Sequence, residues 1–246
     1  MRRAVLLALL ALPGPAAAES ALVAVATNFR PVAEILAEEF TAETGHEIRL
    51  AAAATGKLAA QVASGAPFDV FLSADEATVD KLIAEGQADP EHRFTYAIGR
   101  LVLWTNDDRA DLSDPGAYLA TLKHVAIANP DLAPYGRAAL QTIDSLGFSD
   151  AVEGKIVQGE NIGQTFAMVR SGAAGAGFVA ASALHADPTL AGSSWPVPES
   201  AHDPIRQDAV LLARAEGNAA ALAFLDHLRG AKARAVIEAN GYETLP

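Results

Sequence analysis

Four stretches of this chain could hold an anion with neutral hydrogen-bond donors, and each lies where a strand-like run gives way to a helix-like one. The first follows Ala21 to Ala26, a run of small and β-branched residues that ends in a hydroxyl, Thr27, and an amide, Asn28. Pro31 then opens a helical pattern with apolar residues at Val32, Ile35, Leu36 and Phe40. Proline suits the first helical turn, whose N–H groups have no partner inside the helix. Those free N–H groups and the helix dipole attract negative charge. The second stretch, Ala52-Ala53-Ala54-Thr55-Gly56-Lys57-Leu58, repeats the device with a hydroxyl at Thr55 and a glycine that lets backbone approach a ligand. In the third, Asn129 to Gly136, Pro130 and Pro134 fix the entry to a helix and Tyr135 places a phenol at its start. Gly159-Glu160-Asn161-Ile162-Gly163 is the fourth, with a backbone N–H near Ile162 as its donor.

Each stretch also has a plainer reading. Thr55 is a residue type that caps helices, and Tyr135 could pack its ring against a domain edge. Lys57 after Gly56 hints at a phosphate-binding P-loop. That motif needs a glycine at position 51 and Ser or Thr after the lysine, whereas the chain has Ala51 and Leu58. Gly175-Ala176-Gly177 precedes a strand instead of opening a helix, which excludes a dinucleotide fingerprint. There is no G-x-S-x-G elbow, and the six histidines lack metal-ligand spacing. Asp69, Asp75 and Glu76 read as strand-end and helix-cap carboxylates rather than an acid/base pair. With no nucleophile beside a base, the residues argue for binding and against an enzyme. A secreted enzyme or sensor domain on the same scaffold is the alternative.

The elements that must position these turns alternate almost throughout. Strands are predicted over 47–53, 69–73, 124–128, 155–158, 177–181 and 209–213, with one long apolar strand from Tyr96 to Thr105. Helices are predicted over about 56–64, 75–85, 135–146, 163–170, 218–229 and 231–240, and residues 192–204, with Pro196, Pro198 and Pro204, as an irregular loop. Such alternation with short turns implies an α/β fold of mostly parallel sheet flanked by helices. The apolar strands near Leu101 and Leu211 bracket a middle block. If both cross between lobes, residues 19–100 and 210–246 form lobe 1 and residues 101–209 form lobe 2. The two strands would then lie side by side as a hinge. One large sheet is the other reading.

Residues 1–18 have the make-up of a secretory signal peptide: Arg2 and Arg3, an apolar run from Val5 to Leu12, and Ala16-Ala17-Ala18 before Glu19. That apolar run is too short to span a bilayer, so no membrane insertion is expected. The absence of cysteine excludes thiolate metal sites and disulfides. A net charge of −12 argues against nucleic acid and anionic lipid as partners. Any anion must then be held by local dipoles, because the overall field repels it.

The succession Ala-Thr27-Asn28-Phe, Ala-Thr55-Gly-Lys-Leu and Gly65-Ala66-Pro67-Phe68-Asp69-Val70-Phe71-Leu72-Ser73-Ala74-Asp75 resembles the periplasmic molybdate-binding proteins of ABC importers. Pro134-Tyr135-Gly136, Asn161-Ile162 and Asn240-Gly241-Tyr242 extend the resemblance over essentially the whole chain beyond residue 18. It implies a two-lobed periplasmic binding protein whose lobes, joined by two hinge strands, close on a tetrahedral oxyanion. Carried over position by position, it implicates Thr27, Asn28, Thr55, Tyr135 and the backbone of Ile162 as contacts to the oxygens of molybdate or tungstate. Many members have serine where Thr27 and Thr55 stand. Some place a binding tyrosine on the strand matching Gly177 to Ala181; this chain has Ala180 there, and Tyr135 is expected to supply the phenol. The resemblance further implies no cofactor, a monomer in the periplasm, and the membrane permease of an ABC importer as partner. The roles of Lys57 and Arg30 near the cleft stay open, and sulfate or phosphate is the alternative ligand.

The chemistry is consistent with such a ligand. Molybdate and tungstate carry no proton at neutral pH, so a matching site offers donors and few acceptors. Hydrogen phosphate carries a proton and would want a carboxylate, for which only Glu160 and Asp131 are near.

Overall fold

The computed structural model describes residues 18–187 and 189–245, so the leader expected at 1–18 falls, apart from Ala18, outside the described residues. The chain begins with β1 (Ser20–Ala26), α1 (Arg30–Thr44), β2 (Glu47–Ala53), α2 (Thr55–Ala63), β3 (Val70–Leu72), α3 (Glu76–Ala84) and β4 (Phe94–Gly99). It continues with β5 (Leu101–Thr105), α4 (Pro115–Thr121), β6 (Val125–Ala128), α5 (Pro134–Ser145), α6 (Ser149–Val152) and β7 (Ile156–Gly159). Then come α7 (Ile162–Arg170), β8 (Ala176–Ala180), α8 (Ala181–His185) and β9 (Ser193–Pro196). The closing elements are β10 (Ile205–Leu211), α9 (Ala219–Arg229) and α10 (Ala231–Ala239).

These strands form two sheets, ordered β2-β1-β3-β10-β4 and β7-β6-β8-β5-β9. The fold is a two-lobed α/β architecture. Both sheets are mixed rather than mostly parallel. In the first, β1 is parallel to β2 and β3 while β10 runs antiparallel to β3 and β4. In the second, β6 is parallel to β7 and β8 while β5 runs antiparallel to β8 and β9. The antiparallel members are the strands that carry the chain between lobes, so they enter each sheet against its grain.

The strand expected over Tyr96–Thr105 is two strands in two sheets, broken at Arg100. The guanidinium of Arg100 pairs with Glu199 and Glu243, beside the second crossover and in the C-terminal tail. The return also comes earlier than 210: Ile205 already pairs with Gly99, and all of β10 belongs to the first sheet. Leu211 therefore lies opposite Val70, not beside Leu101. The loop expected at 192–204 contains β9, which among the described residues pairs only with β5. A sheet edge tolerates Pro196, which explains why proline hid a strand there.

Each sheet is covered on both faces. α1 presses Val32, Leu36 and Phe40 onto one face of the first sheet, joined by Phe224 and Leu228 of α9. Leu58, Val79 and Leu82 cover the other face around Phe71. Ile35, assigned to the apolar stripe from the sequence, is instead exposed. The second sheet buries Leu103, Ile127 and Phe178 against α5 on one side and Trp104 and Val169 on the other.

Candidate functional site

In the first sheet β1 has a parallel neighbour on each side: the chain crosses from β1 to β2 on one side and from β2 back past β1 to β3 on the other. This makes its carboxyl end a topological switch point, where open α/β sheets leave a crevice. The register sets Ala26 opposite Ala53 and Val25 opposite Leu72, so the strands deliver Thr27, Thr55 and Ala74 to one edge. The second sheet repeats the plan around β6, with Ala128 opposite Gly159. Its switch point opens onto the start of α5, at Tyr135, and the start of α7, at Ile162.

The two edges face one another. A single small cavity is lined by Thr27, Asn28, Thr55, Tyr135 and Ile162, with apolar walls from Ala26, Ala54, Ala74, Ala133 and Pro134. All five residues singled out from the sequence are thus brought together. The cavity measures about 10 Å³ as room for the centre of a water molecule, a scale on which one water needs about 10–15 Å³. The lobes are closed upon it. Gly56 N–H donates to the Leu132 carbonyl of the other lobe at 2.9 Å, and a methyl group on Gly56 would sit 3.2 Å from Leu132 Cα. Ion pairs Lys57–Glu160 and Arg137–Asp75 also join the lobes.

The polar atoms of the cavity are almost all donors. Thr27 Oγ1 is buried with no hydrogen-bond partner among the described residues. Thr55 does not cap α2, whose N-cap is Ala54. Its Oγ1 accepts from the Ala74 N–H at 3.1 Å, which leaves the hydroxyl proton free to donate. Ile162 is the first residue of α7, where Asn161 caps the helix by accepting from the Gln164 N–H at 3.0 Å. The Ile162 N–H therefore stays among the unpaired donors of that terminus. Tyr135 is buried at the start of α5.

Asn28 is placed otherwise than its residue type suggested. Its side-chain amide donates to Gln207 Oε1 at 2.7 Å and to the Tyr242 hydroxyl at 3.2 Å, so both N–H bonds are taken inside the protein. What Asn28 can turn to the cavity as a donor is its backbone N–H, which has no backbone acceptor. Lys57 is half-exposed in its ion pair, and Arg30 pairs with Glu34 on the outer face of α1. Neither basic side chain lines the cavity, and no carboxylate does.

Behind the cavity lies a buried layer that the sequence reading missed: Tyr96, Gln207 and Tyr242. The Tyr96 hydroxyl lies 3.1 Å from both Gln207 Oε1 and the Ser73 carbonyl, and Gln207 Nε2 donates to the Tyr135 oxygen at 3.3 Å. The Tyr242 hydroxyl donates to the Asn28 carbonyl at 2.8 Å. The chain has only four tyrosines, and three of them meet here, a concentration that could have drawn attention. Burial pushes the Tyr96 and Tyr135 phenols well above their ordinary range, reinforced in each by the neighbouring Tyr242 phenol, and Tyr242 up to about 12. All three keep their protons at neutral pH.

Two mixed sheets closed on a donor-lined, charge-free cavity define a two-lobed solute-binding protein. Residues 21–243 match the family described as bacterial extracellular solute-binding protein, and the chain belongs to that family. Among its relatives, the "Molybdate-binding protein ModA" of Azotobacter vinelandii is 45% identical over 223 residues, 89% of this chain and 88% of that one. The protein of the same description from Rhodobacter capsulatus is 45% identical over 231 residues, 94% and 90% of the two chains. The structure is similar to that of the Azotobacter vinelandii periplasmic molybdate-binding protein, with a TM-score of 0.85 at 39% identity over 92% of this chain and 99% of that one. The protein is a binding protein and not an enzyme, as its relatives are.

Proposed function

We propose that this protein captures molybdate, and tungstate with it, between its lobes and delivers it to the membrane permease of an ABC importer. The observation that carries the reading is the buried Thr27 hydroxyl, which has no partner among the described residues and faces a cavity without a carboxylate. A buried hydroxyl left unsatisfied costs about 1–3 kcal/mol, and an oxyanion oxygen would remove that cost. Thr27 and Thr55 hydroxyls, the Tyr135 phenol and the backbone N–H groups of Asn28 and Ile162 give five donors. An unprotonated dianion can satisfy all of them, whereas hydrogen phosphate would bring a proton for which the cavity offers no carboxylate, only hydroxyl lone pairs. Hydrogen bonds to charged groups contribute about 1.5–3 kcal/mol each. Five of them, set against an association cost of about 4–15 kcal/mol, are compatible with sub-micromolar binding, which needs about −8 kcal/mol.

Support for molybdate among tetrahedral oxyanions comes from the names of the relatives at 45% identity. The Azotobacter protein's description as periplasmic supports the same compartment here. In this reading the signal peptide at residues 1–18 takes the chain there, and the protein acts as a monomer. Calorimetric titration with molybdate, tungstate, sulfate, phosphate and chromate tests the reading. Molybdate and tungstate should bind in the sub-micromolar range and phosphate not at all. Tight phosphate binding would contradict it.

A further inference from the structure

We propose that Gln207 is a positioning residue that sets the polarity of the binding site, holding the Tyr135 phenol as a donor towards the ligand. The proposal rests on the oxyanion reading above and adds to it a residue outside the cavity wall.

Gln207 is fully buried on β10, at the point where the β10–β4 register shifts. Its amide is oriented by what surrounds it. Oε1 accepts from the Asn28 Nδ2 at 2.7 Å, and the Tyr96 hydroxyl, 3.1 Å from both Oε1 and the Ser73 carbonyl, divides its one proton between those two acceptors. Nε2 is therefore the end that faces Tyr135, at 3.3 Å from the phenol oxygen. The contact is close because β4 offers no side chain beside it. A methyl group on Gly99 would lie 2.0 Å from the Tyr135 oxygen and 2.7 Å from Gln207 Nε2.

The consequence follows from the inventory of a phenol, which has one proton to give and lone pairs to accept with. Gln207 fills the accepting side. Among the described residues no acceptor takes the Tyr135 proton, and burial keeps that proton in place. The O–H is left to point into the cavity. A phenol turned the other way would present a lone pair there, which repels an unprotonated anion and welcomes a protonated one. Gln207 belongs to the first lobe and Tyr135 to the second, so this orientation is imposed only when the lobes meet.

A double-mutant cycle with molybdate as the probe tests the proposal. Gln207→Met keeps the length and neutrality of the side chain and should weaken molybdate binding three- to tenfold in the parent background. In a Tyr135→Phe background, where there is no phenol to orient, the same change should alter affinity less than twofold. Gln207→Glu, which would draw the phenol proton to itself, should weaken molybdate more than tenfold and narrow the gap between molybdate and hydrogen phosphate. It also serves as the second variant should Gln207→Met fold poorly. Equal losses from Gln207→Met in both backgrounds, or an unchanged anion preference in Gln207→Glu, would overturn the proposal while leaving the site reading intact. A parent protein that binds no oxyanion contradicts the site reading itself, and with no ligand to orient towards, the role of Gln207 falls with it.

Discussion

In the first lobe the strand with parallel neighbours on both sides, β1, ends directly before a hydroxyl that nothing among the described residues satisfies. In the second lobe the matching strand, β6, ends six residues, Asn129 to Pro134, before its donor Tyr135. The donors of the first lobe are short side chains and backbone fixed by one sheet register, Ala26 opposite Ala53. The second lobe reaches across with a long ring whose hydroxyl is steadied by Gln207, a residue of the first. In the proposed function an anion rests on Thr27 and Thr55 before closure, whereas the contribution of Tyr135 exists in full only after it. A ligand drives closure only through what it gains in the closed state, and here that gain is concentrated in the second lobe.

The junction between the lobes should show the largest response, at high pH. Tyr242, held up to about 12 by burial, keeps its proton in the folded protein after the unfolded chain has begun to lose it near pH 10. The raised value contributes stability that is complete below about pH 10 and is lost between about pH 10 and 12, amounting to ~3 kcal/mol from this one group. Denaturant unfolding measured from pH 8 to pH 12 should show that fall. A flat profile would mean that the phenols at the junction are not shielded.

Removing a first-lobe hydroxyl should come next. Thr27→Ala and Thr55→Ala should each weaken molybdate binding by about ten- to a hundredfold, since a hydrogen bond to a charged group is worth about 1.5–3 kcal/mol. Thr55→Ala also leaves the Ala74 N–H without its acceptor and should lower thermal stability, whereas Thr27→Ala should not. Calorimetry and thermal melts on the two variants separate these effects. Identical behaviour would deny the difference in their bonding.

The smallest effect belongs to the ion pair outside the cavity. Lys57 and Glu160 are about half exposed, and such pairs contribute about 0.2–1 kcal/mol. Lys57→Ala should weaken binding by no more than about fivefold, and the difference from the parent should shrink as salt rises. A loss as large as that from Thr27→Ala would point to a charge-based site.

Much of this comparison could be read from the chain because it is local. A strand ending in Thr27-Asn28 before Pro31, or in Thr55-Gly56, carries its own geometry, and the four turns fall where the residues placed them. The layer behind them could not be read so. Gln207 lies between Arg206 and Asp208, ahead of the apolar run at 209–213 and far from Tyr135 in sequence, and its partners are fixed only by the register of β10 with β4 and by the empty position at Gly99. Nor does a residue type reveal how it is bonded: the Asn28 amide looked like a ligand group and is spent on Gln207 and Tyr242. The break at Arg100 was hidden for a similar reason, since Leu101 to Thr105 is as apolar as the strand before it and only the change of sheet separates them.

Calorimetric titration of Tyr135→Phe with molybdate, beside the parent, tests the division of labour between the lobes most directly. The ring and its packing remain and one donor is lost, so molybdate affinity should fall by about tenfold or more, with the ligand-free melting temperature nearly unchanged. Equal dissociation constants would remove Tyr135 from the site and leave the second lobe without the side-chain donor this account gives it.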